Sequence, residues 1–123
     1  MTNELYDVLY DAISAIVPNL YRNKAQTGVF PYATIKIDTL IDTYPTHDYT
    51  VVIALYDKDG VSIKPLENKA DSVIQLLNNQ VLESNGTYYH FTLSLRQFIN
   101  SEYLVGTQEI ELQLLARTYS KGE

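Results

Sequence analysis

The feature that most constrains this 123-residue chain is an alternation of apolar and polar residues near its C-terminus. Ile110, Leu112, Leu114 and Ala116 alternate there with Glu109, Glu111 and Gln113. Successive side chains of a strand point to opposite faces, so such a run demands a sheet with one buried face and one wet face. The pattern recurs in Ala33, Ile35 and Ile37 against Thr34, Lys36 and Asp38. It recurs again in Tyr49, Val51, Ile53 and Leu55, and in Phe91, Leu93 and Leu95. Val52, Ala54 and Tyr56 make the second face of one strand partly apolar as well. That face wants a cover, from this chain or from another.

Two segments change period. Leu5, Val8, Leu9, Ala12, Ile13 and Ile16 recur at steps of three and four, which predicts a helix over residues 3–17. Thr2 or Asn3 can cap it, and Pro18 stops its next turn. Leu66, Ala70, Val73, Ile74 and Leu77 predict a second helix over residues 63–79, capped by Ser62 and ended by Asn78 and Asn79. Strands are expected over residues 32–41, 48–57, 87–98 and 107–117. A polar connector is expected at 19–28, and another through Asn100, Ser101 and Gly106. The order is αββαββ. It predicts an α+β two-layer domain spanning residues 1–123: a mostly antiparallel four-stranded sheet with two helices packed on one face. The two αββ halves hint at a duplication, but their residue identity is too thin to establish one.

The first strand has a well-marked entry, Gly28-Val29-Phe30-Pro31-Tyr32. Pro31 fixes its own φ and pushes Phe30 toward extended geometry. Phe30 and Tyr32 flank it, which puts large apolar area at a sheet edge.

Composition narrows the function classes. The absence of cysteine removes disulfides, thiolate metal sites and thiol nucleophiles. A formal net charge of -6 repels phosphate backbones, which argues against nucleic-acid recognition. A weakly repelling surface would still suit a passage through which DNA slides. No apolar run approaches the roughly 18 residues of a membrane span. The acidic start of the first helix does not resemble a secretion signal, so the chain is expected to stay in a cytoplasm. The eleven tyrosines suit half-buried sheet positions and also protein interfaces.

Chemistry finds little foothold. Asp42, His47 and Asp48 are the only local cluster of metal-ligand types, and nothing in their spacing fixes a geometry. No serine sits in a glycine-framed elbow, and the isolated glycines form no phosphate cradle. Glu109 and Glu111 share one strand face, the usual mark of a solvated surface. No catalytic residue, metal ligand or cofactor is therefore assigned. Five residues are candidates for protein contact: Tyr21, Arg22, Tyr44, Pro45 and Tyr103. An arginine beside an aromatic in a connector can anchor a partner. Arg22 can equally cover its neighbour's ring, and the aromatic loop residues share that ambiguity.

The helix, then Leu20-Tyr21-Arg22, then Phe30-Pro31-Tyr32 opening a strand, resembles the tail terminator (tail completion) proteins of long-tailed bacteriophages. The likeness covers most of the chain as an order of elements, through the strand at Tyr49–Tyr56, Gly60 and the second helix. As residue identity it is specific only around Phe30-Pro31-Tyr32. It implies a structural virion protein forming a ring, commonly a hexamer, that caps the tail tube and ends its polymerisation. The implied partners are further copies of itself, the tail tube protein and the head-tail connector, with DNA passing through the ring and no membrane. The implied location is the tail or neck of a virion or prophage particle assembled in the host cytoplasm. The family has no catalytic residues to carry over. Another neck component (a head-closure or connector protein) or a small adaptor or inhibitor binding one protein fits the same residues.

Overall fold

The computed structural model describes residues 2–22, 30–43, 46–58, 63–83, 89–104 and 107–120. In chain order they form α1 (Thr2–Ile13), β1 (Leu20–Arg22), β2 (Tyr32–Thr43), β3 (Thr46–Lys58), α2 (Lys64–Leu77), β4 (Gln80–Glu83), β5 (Tyr89–Leu104) and β6 (Thr107–Ser120). The strands make one six-stranded sheet in the order β1-β2-β3-β6-β5-β4. β1 runs parallel to β2, and every other neighbouring pair is antiparallel.

The expected four-stranded, mostly antiparallel sheet is thus corrected to a six-stranded mixed one, curled toward a half-barrel. β1 and β4 are the strands that sequence periodicity missed. Three residues, or four, cannot display a period of two; both strands owe their conformation to a tertiary neighbour. Leu20 sits beside Ala33 in the core, which seats β1 on β2. β4 follows α2 at once because Asn79 takes a left-handed φ of 59° and donates its N–H to the Leu93 carbonyl at 2.8 Å. Asparagine tolerates that region better than most residues. β5 also runs through the connector expected at Asn100 and Ser101, which pair with Ile110 and Glu109.

Helix limits differ as well. α1 ends at Ile13, after which the chain tightens: the Ile16 N–H donates to the Ile13 carbonyl at 2.8 Å. Three-residue bonds of this kind commonly close a last turn. The N-cap of α2 is Ile63, without a side-chain cap bond, and Pro65 lies in the first turn where its missing N–H costs nothing. Ser62, expected as the cap, lies outside the described residues.

Both helices bury their apolar stripes on one face of the sheet. Leu5, Leu9 and Ile13 of α1 and Leu66, Ala70, Val73 and Leu77 of α2 share a core with Ile35, Ile53, Phe91 and Leu112. At roughly 25 cal/mol per Å² of apolar area removed from water, this burial is the main force holding the layers together. The sheet's other face carries neither helix. Bulges at Leu40 in β2 and at Arg96 and Tyr103 in β5 break the regular pairing.

Candidate functional site

The helix-free face carries a cluster of aromatic rings around Tyr32. Alternation along the strands puts Tyr21, Tyr32 and Tyr56 on it, from β1, β2 and β3. Tyr32 is the hub. Its ring stacks on Tyr56 at 4.8 Å between centroids, meets Phe30 at 5.5 Å and takes Tyr21 edge-on at 6.4 Å. All four rings are half-buried, so each keeps an accessible margin. On the same face Ala54 is only 4% exposed, flanked by Thr34 and Glu111 on the adjoining strands.

The strand entry is held by the backbone as well as by proline. Asn19 accepts the Ala33 N–H at 2.9 Å and donates its side-chain amide to the Pro31 carbonyl at 3.3 Å. The segment leaving α1 thereby clamps the start of β2. The Phe30-Pro31 peptide bond is cis.

The expected anchor pair Tyr21-Arg22 is split. Consecutive strand residues face opposite ways, so Tyr21 joins the aromatic cluster while Arg22 turns to the helix side. The Arg22 guanidinium lies 4.9 Å from the Tyr6 ring centre, over α1 rather than over its sequence neighbour. Tyr103 belongs to strand β5, not to a loop. Tyr44 and Pro45 lie outside the described residues. The site residues that the structure brings together are thus Tyr21, Phe30, Pro31 and Tyr32.

At the opposite side of this face, β4, β5 and β6 frame an open groove of about 380 Å³ lined by Val81, Thr92, Arg96, Leu115, Arg117 and Tyr119. Arg117 reaches across to β3, its Nε donating to Asp48 Oδ1 at 2.9 Å and its Nη2 to Oδ2 at 3.3 Å. That pair commits the carboxylate of Asp48, a member of the only metal-type cluster seen in the sequence. Val81 and Tyr119, at 60% and 40% exposure, were not singled out from sequence. Val81 sits in the unrecognised β4, and its one signal was an apolar residue just after a helix end.

His90 and Glu83 face each other on β5 and β4 at 3.5 Å, a surface contact. No group of three or more metal-ligating side chains gathers among the described residues. Among the described residues this face carries apolar rings and the side chains of Arg96 and Arg117.

The sequence matches no protein-family model, and no curated protein matches it. Among solved structures, the fold is similar to that of a chain from the virion of a native gene transfer agent particle. Their TM-score is 0.73 at 14% identity, covering 97% of each chain. A second solved structure superposes with a TM-score of 0.67 at 12% identity, covering 99% of this chain and 95% of the other.

Proposed function

We propose that this chain is a structural protein of a long-tailed phage or phage-like particle, acting as a tail terminator. In this reading copies of the chain form a ring, commonly hexameric, that caps the tail tube, ends its polymerisation and meets the head-side connector. The observation that carries it is the fold, shared over 97% of both chains with a component of a gene transfer agent virion. The strand entry at Phe30-Pro31-Tyr32 supports the narrower assignment, because that segment carries the family likeness. A ring of acidic chains, each of formal charge -6, would line a bore that DNA passes without sticking. The role needs no reaction, and we read the chain as non-enzymatic.

Purified protein added to growing tail tubes tests this. The expected result, by negative-stain microscopy, is a cap on one end of each tube and an arrest of elongation. Binding to the portal side with no effect on tubes would instead make the chain a head-closure or connector component. A monomer that leaves tubes uncapped at high concentration would overturn the proposal.

A further inference from the structure

We infer that copies of this chain stack head to tail, the outer ridge of α1 in one copy seated in the groove that β4, β5 and β6 frame in the next. The inference rests on the ring reading above and names the contact that builds the ring.

The two surfaces carry opposite charge. No lysine or arginine precedes Arg22, while Glu4, Asp7 and Asp11 all lie on α1. Leu5, Leu9 and Ile13 turn one side of that helix to the core. At about 100° per residue, Asp7, Tyr10 and Asp11 fall on the opposite side. Asp7 and Asp11 are exposed and make no ion pair among the described residues. Tyr10 stands between them with 37% of its surface open to solvent. Such a ridge fits a surface that offers apolar area between positive charges.

The groove offers that area. Leu115, paired with Ser94, lies midway along it, with Val81 and Tyr119 exposed beside it. Arg117 pairs across from Thr92, and Arg96 sits four residues further along β5, about 13 Å away along the strand. Arg117 keeps 47% of its side chain exposed even while it holds Asp48. Arg96 is the extra residue of a bulge, between the Leu95–Leu114 and Gln97–Gln113 pairs. Bulges re-aim side chains, and this one sets Arg96 at the border of the groove and of a second hollow over Thr50 and Gln113. No carboxylate pairs with Arg96 among the described residues.

A Tyr10 ring laid on Leu115 and Val81 has an arginine toward each end of the groove. Asp7 and Asp11, about 6 Å apart along the helix axis, then flank the ring on the sides where those arginines stand. The contact covers Tyr10, Val81 and Tyr119 together, three large apolar side chains that the single chain leaves exposed. α1 and the groove belong to opposite layers, so one copy can use both at once. A contact between two different surfaces leaves one of each free, and it closes into a ring or runs on as a filament.

Charge reversal tests the pairing at positions that are all exposed. Arg96→Glu and, separately, Asp7→Lys/Asp11→Lys should keep the wild-type circular dichroism spectrum. Each should need about tenfold or more protein to assemble, read by light scattering and by tube capping. The milder Arg96→Gln and Asp11→Asn should weaken assembly in the same direction, a check that does not depend on the reversed chains folding. An equimolar mixture of the two reversed chains should assemble again, because each normal ridge finds a normal groove and each reversed ridge a reversed one. All three reversals in one chain should do the same. Folded variants that cap tubes at wild-type concentrations overturn this contact and leave the ring reading standing. So does a loss of assembly that neither the mixture nor the combined chain restores, which would set a different protein against the arginines. If the wild-type chain stays monomeric and leaves tubes bare, the ring reading falls and this contact falls with it.

Discussion

The guanidinium of Arg22 lies 4.9 Å from the centre of the Tyr6 ring, tying the sheet-edge strand β1 to helix α1. An arginine over an aromatic face is drawn by the ring quadrupole, worth about 0.5–1 kcal/mol at an exposed site. Arg22→Gln should lower the unfolding free energy by about that amount in urea titrations, leaving the circular dichroism spectrum unchanged.

The same pair gives a pH dependence. Burial pushes the Tyr6 phenol above its ordinary value, with the neighbouring Tyr10 adding to the rise and Arg22 opposing it. A raised value means that the folded state holds the proton more tightly than the unfolded chain. The resulting stability is complete below about pH 10 and is lost as pH rises through the folded value. Tyr6→Phe should therefore lose less stability than the wild type between pH 9 and pH 11, approximate limits set around the ordinary tyrosine value. Arg22→Gln should raise the Tyr6 titration further, which an absorbance titration would read.

Tyr32 and Tyr56 stack at 4.8 Å across β2 and β3. A double-mutant cycle with Tyr32→Ala and Tyr56→Ala should give a coupling of about 0.5–1.5 kcal/mol, the usual range for such ring pairs. No coupling would mean that the rings are held by the sheet rather than by each other. If the cluster is part of a docking face, the single variants should also weaken tube capping more than they weaken folding.

Asn79 turns α2 into β4 at φ 59°. Asn79→Gly should be nearly neutral, since glycine takes positive φ without steric cost. Asn79→Val should cost about 1–2 kcal/mol or more, because a β-branched residue is a steric outlier there. Thermal melts of the two variants separate the backbone effect from loss of the side chain.

Ile53 and Leu112 are fully buried cross-strand partners on the two central strands. Truncating either to alanine should cost about 2–5 kcal/mol, by lost burial plus the cavity left behind. For a chain of this size that is a large part of the total, so calorimetry should show a clear fall in Tm.

The reading of Arg22 shows how far linear pattern reaches. Its place beside Tyr21 suggested one anchoring pair, yet a three-residue strand sends the two side chains to opposite faces. Adjacency in sequence measures proximity only when the local conformation is known. Tyr103 fails for a related reason: polar neighbours at Asn100 and Ser101 look like a connector, but cross-strand bonds to β6 carry the strand through them.

The sequence by itself determined the two helices, the four long strands and the residues that face the core. These follow from side-chain period, which is written along the chain and needs no distant partner. Only the tertiary structure decided the six-strand order, the parallel β1, the short β4 and the aromatic cluster. Short margin strands form because a long neighbour offers them unpaired backbone groups. Tyr32 becomes a hub because β1 and β3 bring Tyr21 and Tyr56 to its ring, beside Phe30 two residues before it. Both are consequences of which segments meet in space, and periodicity carries no record of that.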